Sequence, residues 1–241
     1  MIVETSGTAI DRARQFGEAV AEPLQRMLAG DLVERVICDE RRRAIADRML
    51  AHFHAMEPPL ELEQACCEAA GVDLARLLDQ RVAVAIAKSR APEGCSGVIL
   101  QSDERILMGQ NLDTGPIPRG ENVLEIGRGP EGACARFCPP YILECMFGMN
   151  AHGLTNGGAS GPPDNPLRGG GGVPTTLIRW KYFWQCRTPS DVAASAGEHL
   201  VAGKGSNNVW VCPTGEMLRT EQGGGAVAMM RPEGRFAVAT G

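Results

Sequence analysis

The chain has 241 residues, 44% hydrophobic and 22% charged, with a net charge of -5. That suits one large domain, or a domain with a helical extension. The mildly acidic balance gives no footing for nucleic acid or an anionic membrane as partner, and no apolar run approaches the ~18–20 residues of a membrane span. The opening Met1-Ile-Val-Glu-Thr5 lacks the basic and apolar regions of a signal peptide, so the expected setting is cytoplasmic, with the nine cysteines mostly reduced and buried. Cys134-x3-Cys138 and adjacent Cys66-Cys67 lack the paired spacing of a zinc site, and neither a metal nor any other cofactor is expected.

In chain order, residues 9–88 carry helical texture. Ile10, Ala13, Phe16, Gly17, Val20 and Leu24 recur at helical spacing, with Asp11, Arg12 and Glu18 between them and Thr8 as a cap. A second helix is expected over 32–53, broken by Pro58-Pro59. A third starts near Leu60, Gly71-Val-Asp73 turns into a short helix over 74–78, and 82–87 is an apolar run of either type. From Gly94 on, β-like runs at 97–101, 105–108, 122–126 and 133–137 alternate with turns. Residues 156–172, with unbroken glycine at 169–172, read as a mobile loop and a candidate lid. Helical pattern resumes over 173–185 and 190–199, and strands are expected at 208–212, 216–220, 226–230 and 236–239. The halves therefore differ: a helical segment over 1–94 and an α/β segment over 95–241.

Gly127-x-Gly129-x-x-Gly132 matches a dinucleotide fingerprint formally, but Pro130 sits inside it and a returning strand follows, so a hairpin turn is expected. His52, His54, His152 and His199 read as surface or core side chains. The most informative position is Cys95, in Ala91-Pro-Glu-Gly-Cys-Ser-Gly97. Scission between Gly94 and Cys95 would put a thiol and a free α-amine on one residue, with reference pKa values of about 8.5 and about 7.7–8.0. The nucleophile then has its base a few bonds away and needs no distant histidine. Gly94, without a Cβ, tolerates the strained backbone that an amide-to-thioester shift demands.

Other segments join Cys95 in one ordered pattern: Gly7-Thr8 with Gly17 and Ala21; Leu60-Glu-Leu-Glu-Gln-Ala-Cys-Cys-Glu-Ala-Ala-Gly-Val-Asp-Leu74; Gly94-Cys95-Ser96; Gly109-Gln-Asn-Leu-Asp113; Met149-Asn-Ala-His-Gly-Leu154; Gly172-Val-Pro174; and Ser206-Asn-Asn-Val-Trp210. In this order they resemble the motifs of the self-processing acyltransferases and amidohydrolases typified by isopenicillin N acyltransferase, members of the N-terminal-nucleophile hydrolases. The resemblance implies an α+β fold: a four-layer αββα sandwich with a helical N-terminal segment. It also implies roles. Cys95 would be the nucleophile, for self-cleavage at Gly94-Cys95 and then for substrate. Asp113 would orient or charge-pair the new α-amine, Asn111 and Ser96 would line the site, and Asn208 would donate its amide hydrogens to the oxyanion. The plainer readings are a turn residue for Asp113 and a strand-end asparagine for Asn208. Two departures stand out. Gly97 replaces a usual hydroxyl residue, and the family continues with further strands past the point corresponding to Gly241, so a compact or a truncated member is expected.

The expected function is therefore an autoproteolytic cysteine enzyme that forms or cleaves an amide bond through a Cys95 acyl-enzyme, in small-molecule (secondary-metabolite) metabolism. Its partners would be a thioester or amide acyl donor, an amine acceptor or water, and its own cleaved fragment; a homo-oligomer stays open. Two rivals stand beside it. One is a non-catalytic or uncleaved relative acting as a binding or scaffold protein. The other is an ordinary cysteine hydrolase using His152 as base.

Overall fold

A computed structural model describes residues 1–54, 59–88, 94–112, 122–139, 147–161, 173–198, 201–202, 205–223 and 226–240. Its elements are, in order, β1 (Ile2–Ser6), α1 (Ala9–Ala19), α2 (Ala21–Leu28), α3 (Leu32–Val36), α4 (Glu40–His54), α5 (Pro59–Ala70), α6 (Leu74–Lys88), β2 (Cys95–Gln101), β3 (Ile106–Leu112), β4 (Val123–Gly129), β5 (Gly132–Cys138), β6 (Phe147–Met149), β7 (Thr155–Ser160), β8 (Val173–Pro174), α7 (Thr175–Gln185), α8 (Pro189–Ser195), β9 (Val201–Ala202), β10 (Ser206–Val211), β11 (Met217–Gly223), β12 (Ala226–Met230) and β13 (Phe236–Thr240). The fold is mixed α+β.

Thr8 starts α1 with a reciprocal capping box: its hydroxyl oxygen accepts from the Asp11 N–H while the Asp11 carboxylate accepts from the Thr8 N–H. The helix expected over 32–53 is two helices, because the Asp39 carboxylate accepts from the Arg42 N–H and starts a new one. The ambiguous run at 82–87 is helical, as part of α6. The fingerprint-like glycines form a two-residue hairpin in which Gly129 faces Gly132, and Gly132 has a φ of 131°. The region read as a loop from 156 begins as strand β7, paired with β6 and β10; 162–172, and the lid expected there, lie outside the described residues.

Eight strands form the large sheet, in the order β1-β4-β5-β6-β7-β10-β11-β12, and β13-β2-β3 form a smaller antiparallel one. The first strand enters the large sheet parallel to β4, so the segment before Cys95 is not purely helical. One core lies between the helices and the large sheet, where Phe16, Met49, Val82, Ile178 and Tyr182 meet Val3, Val123, Trp210 and Leu218. A second core lies between the sheets, where Ile99, Ala237 and Ala239 meet Val209, Val211 and Met217. The described residues thus form three layers, helices, large sheet and small sheet, and the outer face of the small sheet presents exposed Leu100, Leu107, Phe236 and Val238.

Two pairs of buried charges lie between the helices and the large sheet. Arg81 meets Glu63 at 2.5 Å, both nearly sealed from solvent. Arg136 donates to Glu125, which also accepts from the Thr5 hydroxyl. Helices α1 and α5 cross at Gly17, where an added Cβ would lie 2.2 Å from the Cys66 carbonyl oxygen. Backbone cannot yield there as a flexible side chain could. Gly17→Ala is therefore expected to cost about 1–3 kcal/mol, read as a lower urea midpoint.

Candidate active site

Cys95 opens the central strand of the small sheet, buried, with exposed Gly94 immediately before it. Strand alternation fixes where its side chain goes. Ile99, on the same face, belongs to the inter-sheet core, and a Cβ on Gly97 would lie 2.7 Å from the Gly158 nitrogen. Cys95, Gly97 and Ile99 therefore face the large sheet. The glycine at 97, the departure noted in the sequence, lets β2 approach β7: Gly157 and Gly158 are its nearest neighbours there.

The same alternation sends Ser96 and Asn111 the other way. They are cross-strand partners, on the face that carries Leu100 and Leu107, and Asn111 is exposed. The structure does not bring them to the Cys95 side of the sheet. Gln110, which sequence reasoning passed over, takes the inner position. Its Oε1 accepts from the Gly158 N–H at 2.7 Å, and its Nε2 donates to the Gly158 carbonyl at 2.8 Å. Among the described residues β6 pairs only with Thr155 and Asn156 of β7, so Gln110 occupies the place of a neighbouring strand.

Asn208 is also placed differently from expectation. On β10, Val209 and Val211 belong to the inter-sheet core, whereas Trp210 packs edge-on against Tyr182 of α7. Asn208 shares the face of Trp210: it is fully buried, and its Nδ2 donates to the Ser206 hydroxyl at 3.0 Å. Its amide is thus on the helical side, with the sheet between it and Cys95. The asparagine on the thiol's side is Asn207. Its Nδ2 donates to the Thr240 carbonyl at 3.1 Å, and its Oδ1 accepts from Arg219 Nε at 3.1 Å. Thr240 pairs with Ser96, the neighbour of Cys95. The signal that separates the two asparagines is strand parity against the flanking Val209 and Trp210. Asp113 lies outside the described residues.

His152 sits exposed on the turn between β6 and β7, against the helical side, lining a cavity with Phe183 and Trp184 of α7. Cys95 faces the seam on the other side of the large sheet, so the structure does not assemble a Cys95–His152 pair. Four other thiols are poor nucleophiles because burial disfavours their thiolates: Cys67 and Cys186 are pushed up to about 12, and Cys66 and Cys134 are also raised. No helix among the described residues is long and apolar enough to cross a membrane, and no three His, Cys, Asp or Glu side chains among them gather as a metal site.

No protein-family model matches this chain, and no curated protein sequence is significantly similar to it.

Gln110→Ala orphans two backbone groups in the seam, each worth about 1–3 kcal/mol of desolvation. The expected result is a lower denaturation midpoint together with faster hydrogen exchange at the Gly158 amide. In the native protein near neutral pH, iodoacetamide is expected to label exposed Cys38 and to leave Cys66, Cys67, Cys134 and Cys186 unmodified, as peptide mapping would read.

Proposed function

We propose that this protein is a self-processing cysteine enzyme of the N-terminal-nucleophile type, in a variant of the αββα sandwich, that forms or cleaves an amide bond through an acyl-enzyme at Cys95. The observation that carries the reading is the position of Cys95. Its thiol opens the central strand of the small sheet and faces the glycine-floored seam, while Gly94 before it is exposed. In such a setting the thiol sulfur attacks the Gly94 carbonyl carbon, the Gly94–Cys95 C–N bond breaks, and the thiol's proton passes to the departing nitrogen, which leaves as the free α-amine. Water then hydrolyses the thioester, leaving the Gly94 carboxylate and a free thiol. The mature Cys95 carries nucleophile and base on one residue. In turnover it takes an acyl group from a thioester or amide donor and passes it to an amine or to water.

Asn207 replaces Asn208 as the proposed oxyanion donor, since its amide lies on the thiol's side and is held at both ends by Thr240 and Arg219. Asp113 keeps its proposed role beside the new α-amine, where a carboxylate favours the protonated form. The rival is an uncleaved relative acting as a binding or scaffold protein. It draws on one observation: Asn208, Asn111 and Ser96 are turned away from the thiol.

Intact mass decides between them. The expected species are fragments 1–94 and 95–241 that copurify, and an uncut chain in active protein would falsify the self-processing step. Cys95→Ala is expected to abolish both cleavage and turnover. Asn207→Ala is expected to lower kcat by about 10²-fold with little change in KM. Asn208→Ala should instead lower stability and leave kcat near wild type.

A further inference from the structure

The cavity lined by His152, Phe183 and Trp184, of about 580 Å³, lies on the helical side of the large sheet, bounded by the start of α1, by α5, by the C-terminal end of α7 and by the β6–β7 turn. That is the size range of a small-molecule site. Its notable residue is Arg12. This side chain is 2% exposed, and its guanidinium stacks over the Trp184 indole at 5.5 Å. Its Nε and Nη1 are sealed from solvent without a hydrogen-bond partner among the described residues.

The other buried arginines of this layer answer to carboxylates: Arg81 to Glu63 and Arg136 to Glu125. Arg12 has no carboxylate partner among the described residues. A guanidinium stays charged at any ordinary pH, so it cannot escape burial by losing its proton as a lysine can. A buried, unpaired cation costs several kcal/mol in general, and a bound anion would remove that cost.

From this geometry we infer that the cavity binds a small monoanionic carboxylate carried on an apolar body. A carboxylate accepts charge-assisted hydrogen bonds from a guanidinium, and at Arg12 it would meet Nη2 first, the nitrogen that is not sealed. The walls beside it, Leu62 and Phe183 among them, suit an apolar body, and Trp184 already covers one face of the guanidinium. The mouth carries exposed Glu61 and Glu131 beside a single exposed Arg187, and the net negative rim repels a dianionic phosphate more than a monoanion. The site lies across the sheet from Cys95 and does not depend on the proposed chemistry there.

The test is isothermal titration calorimetry on the full chain with benzoate, octanoate and indole-3-acetate, against benzyl alcohol and inorganic phosphate as controls. At least one carboxylate is expected to bind at a single site with Kd below about 1 mM. Benzyl alcohol should bind at least about tenfold more weakly than benzoate if benzoate is the binder, and Arg12→Met should weaken the carboxylate at least about tenfold. Arg12→Met removes an uncompensated buried charge, so circular dichroism should show it folded with an undiminished melting temperature. The inference is overturned if none of the three carboxylates binds, if the alcohol binds as well as benzoate, if Arg12→Met binds undiminished, or if phosphate binds tighter than the carboxylates. Should Arg12→Met fail to fold, the panel on the unmodified chain decides the matter by the same comparisons.

Discussion

The seam between the two sheets rests on a side chain that behaves as backbone. Gln110 gives Gly158 both hydrogen bonds that a neighbouring strand would give, and Gly97 and Gly157 leave out the Cβ atoms that would hold the sheets apart. Register follows from this contact. A one-residue slip of β2 would turn Cys95 and Ile99 outward and push Ser96 and Val98 into the seam. The inter-sheet core of Ile99, Val209, Val211 and Met217 exists only in the register that Gln110 staples. The orientation of the Cys95 thiol is a consequence of the same register.

The two faces of the large sheet carry different physics. Toward the small sheet it is tightly apposed at Gly157, where Gly97 of β2 passes close. Toward the helices it is thick with aromatic side chains and buried ions. Arg136 lies over the Phe16 ring at 4.8 Å while paired with Glu125, and Trp210 donates its indole N–H to the Thr220 hydroxyl at 3.1 Å. Asn150 joins sheet to helix: its Nδ2 donates to the Phe183 and Cys186 carbonyls at the end of α7, and its Oδ1 accepts from His152 and Leu154. Those carbonyls have no partner within the helix, so one asparagine caps α7 and shapes the β6–β7 turn together. This face is where an unpaired arginine is most costly, and where Arg12 is found.

Much of the element order was legible. Thr8, Gly71, the 129–132 hairpin and the alternating runs after Gly94 each mark their element through local chemistry that acts over a few residues. The misses share one cause. Residues 156–160 look like a loop because glycine and asparagine are poor strand formers, yet they form a central strand, since the close approach of β2 demands small residues there. Residues 2–6 give too short a signal alone and become a strand only by pairing with β4. The apparent continuity of 32–53 hides a break because Asp39 fits a helix pattern as readily as a cap.

The site divides along the same line. Sequence alone determined that a Gly-Cys bond stands where helical texture gives way to alternating strands, and that a thiol freed there would carry its own base, because both follow from covalent chemistry and neighbouring residues. It could not decide which of two adjacent asparagines faces that thiol, or that Gln110 rather than Asn111 turns inward. Adjacent strand residues point to opposite faces, and only the packing of Val209 against one layer and Trp210 against the other says which face is which. Nor could it single out Arg12 among the arginines, because burial without a counter-charge is a property of what surrounds a side chain, and those surroundings come from α1, α5, α7 and the β6–β7 turn, far apart in the chain.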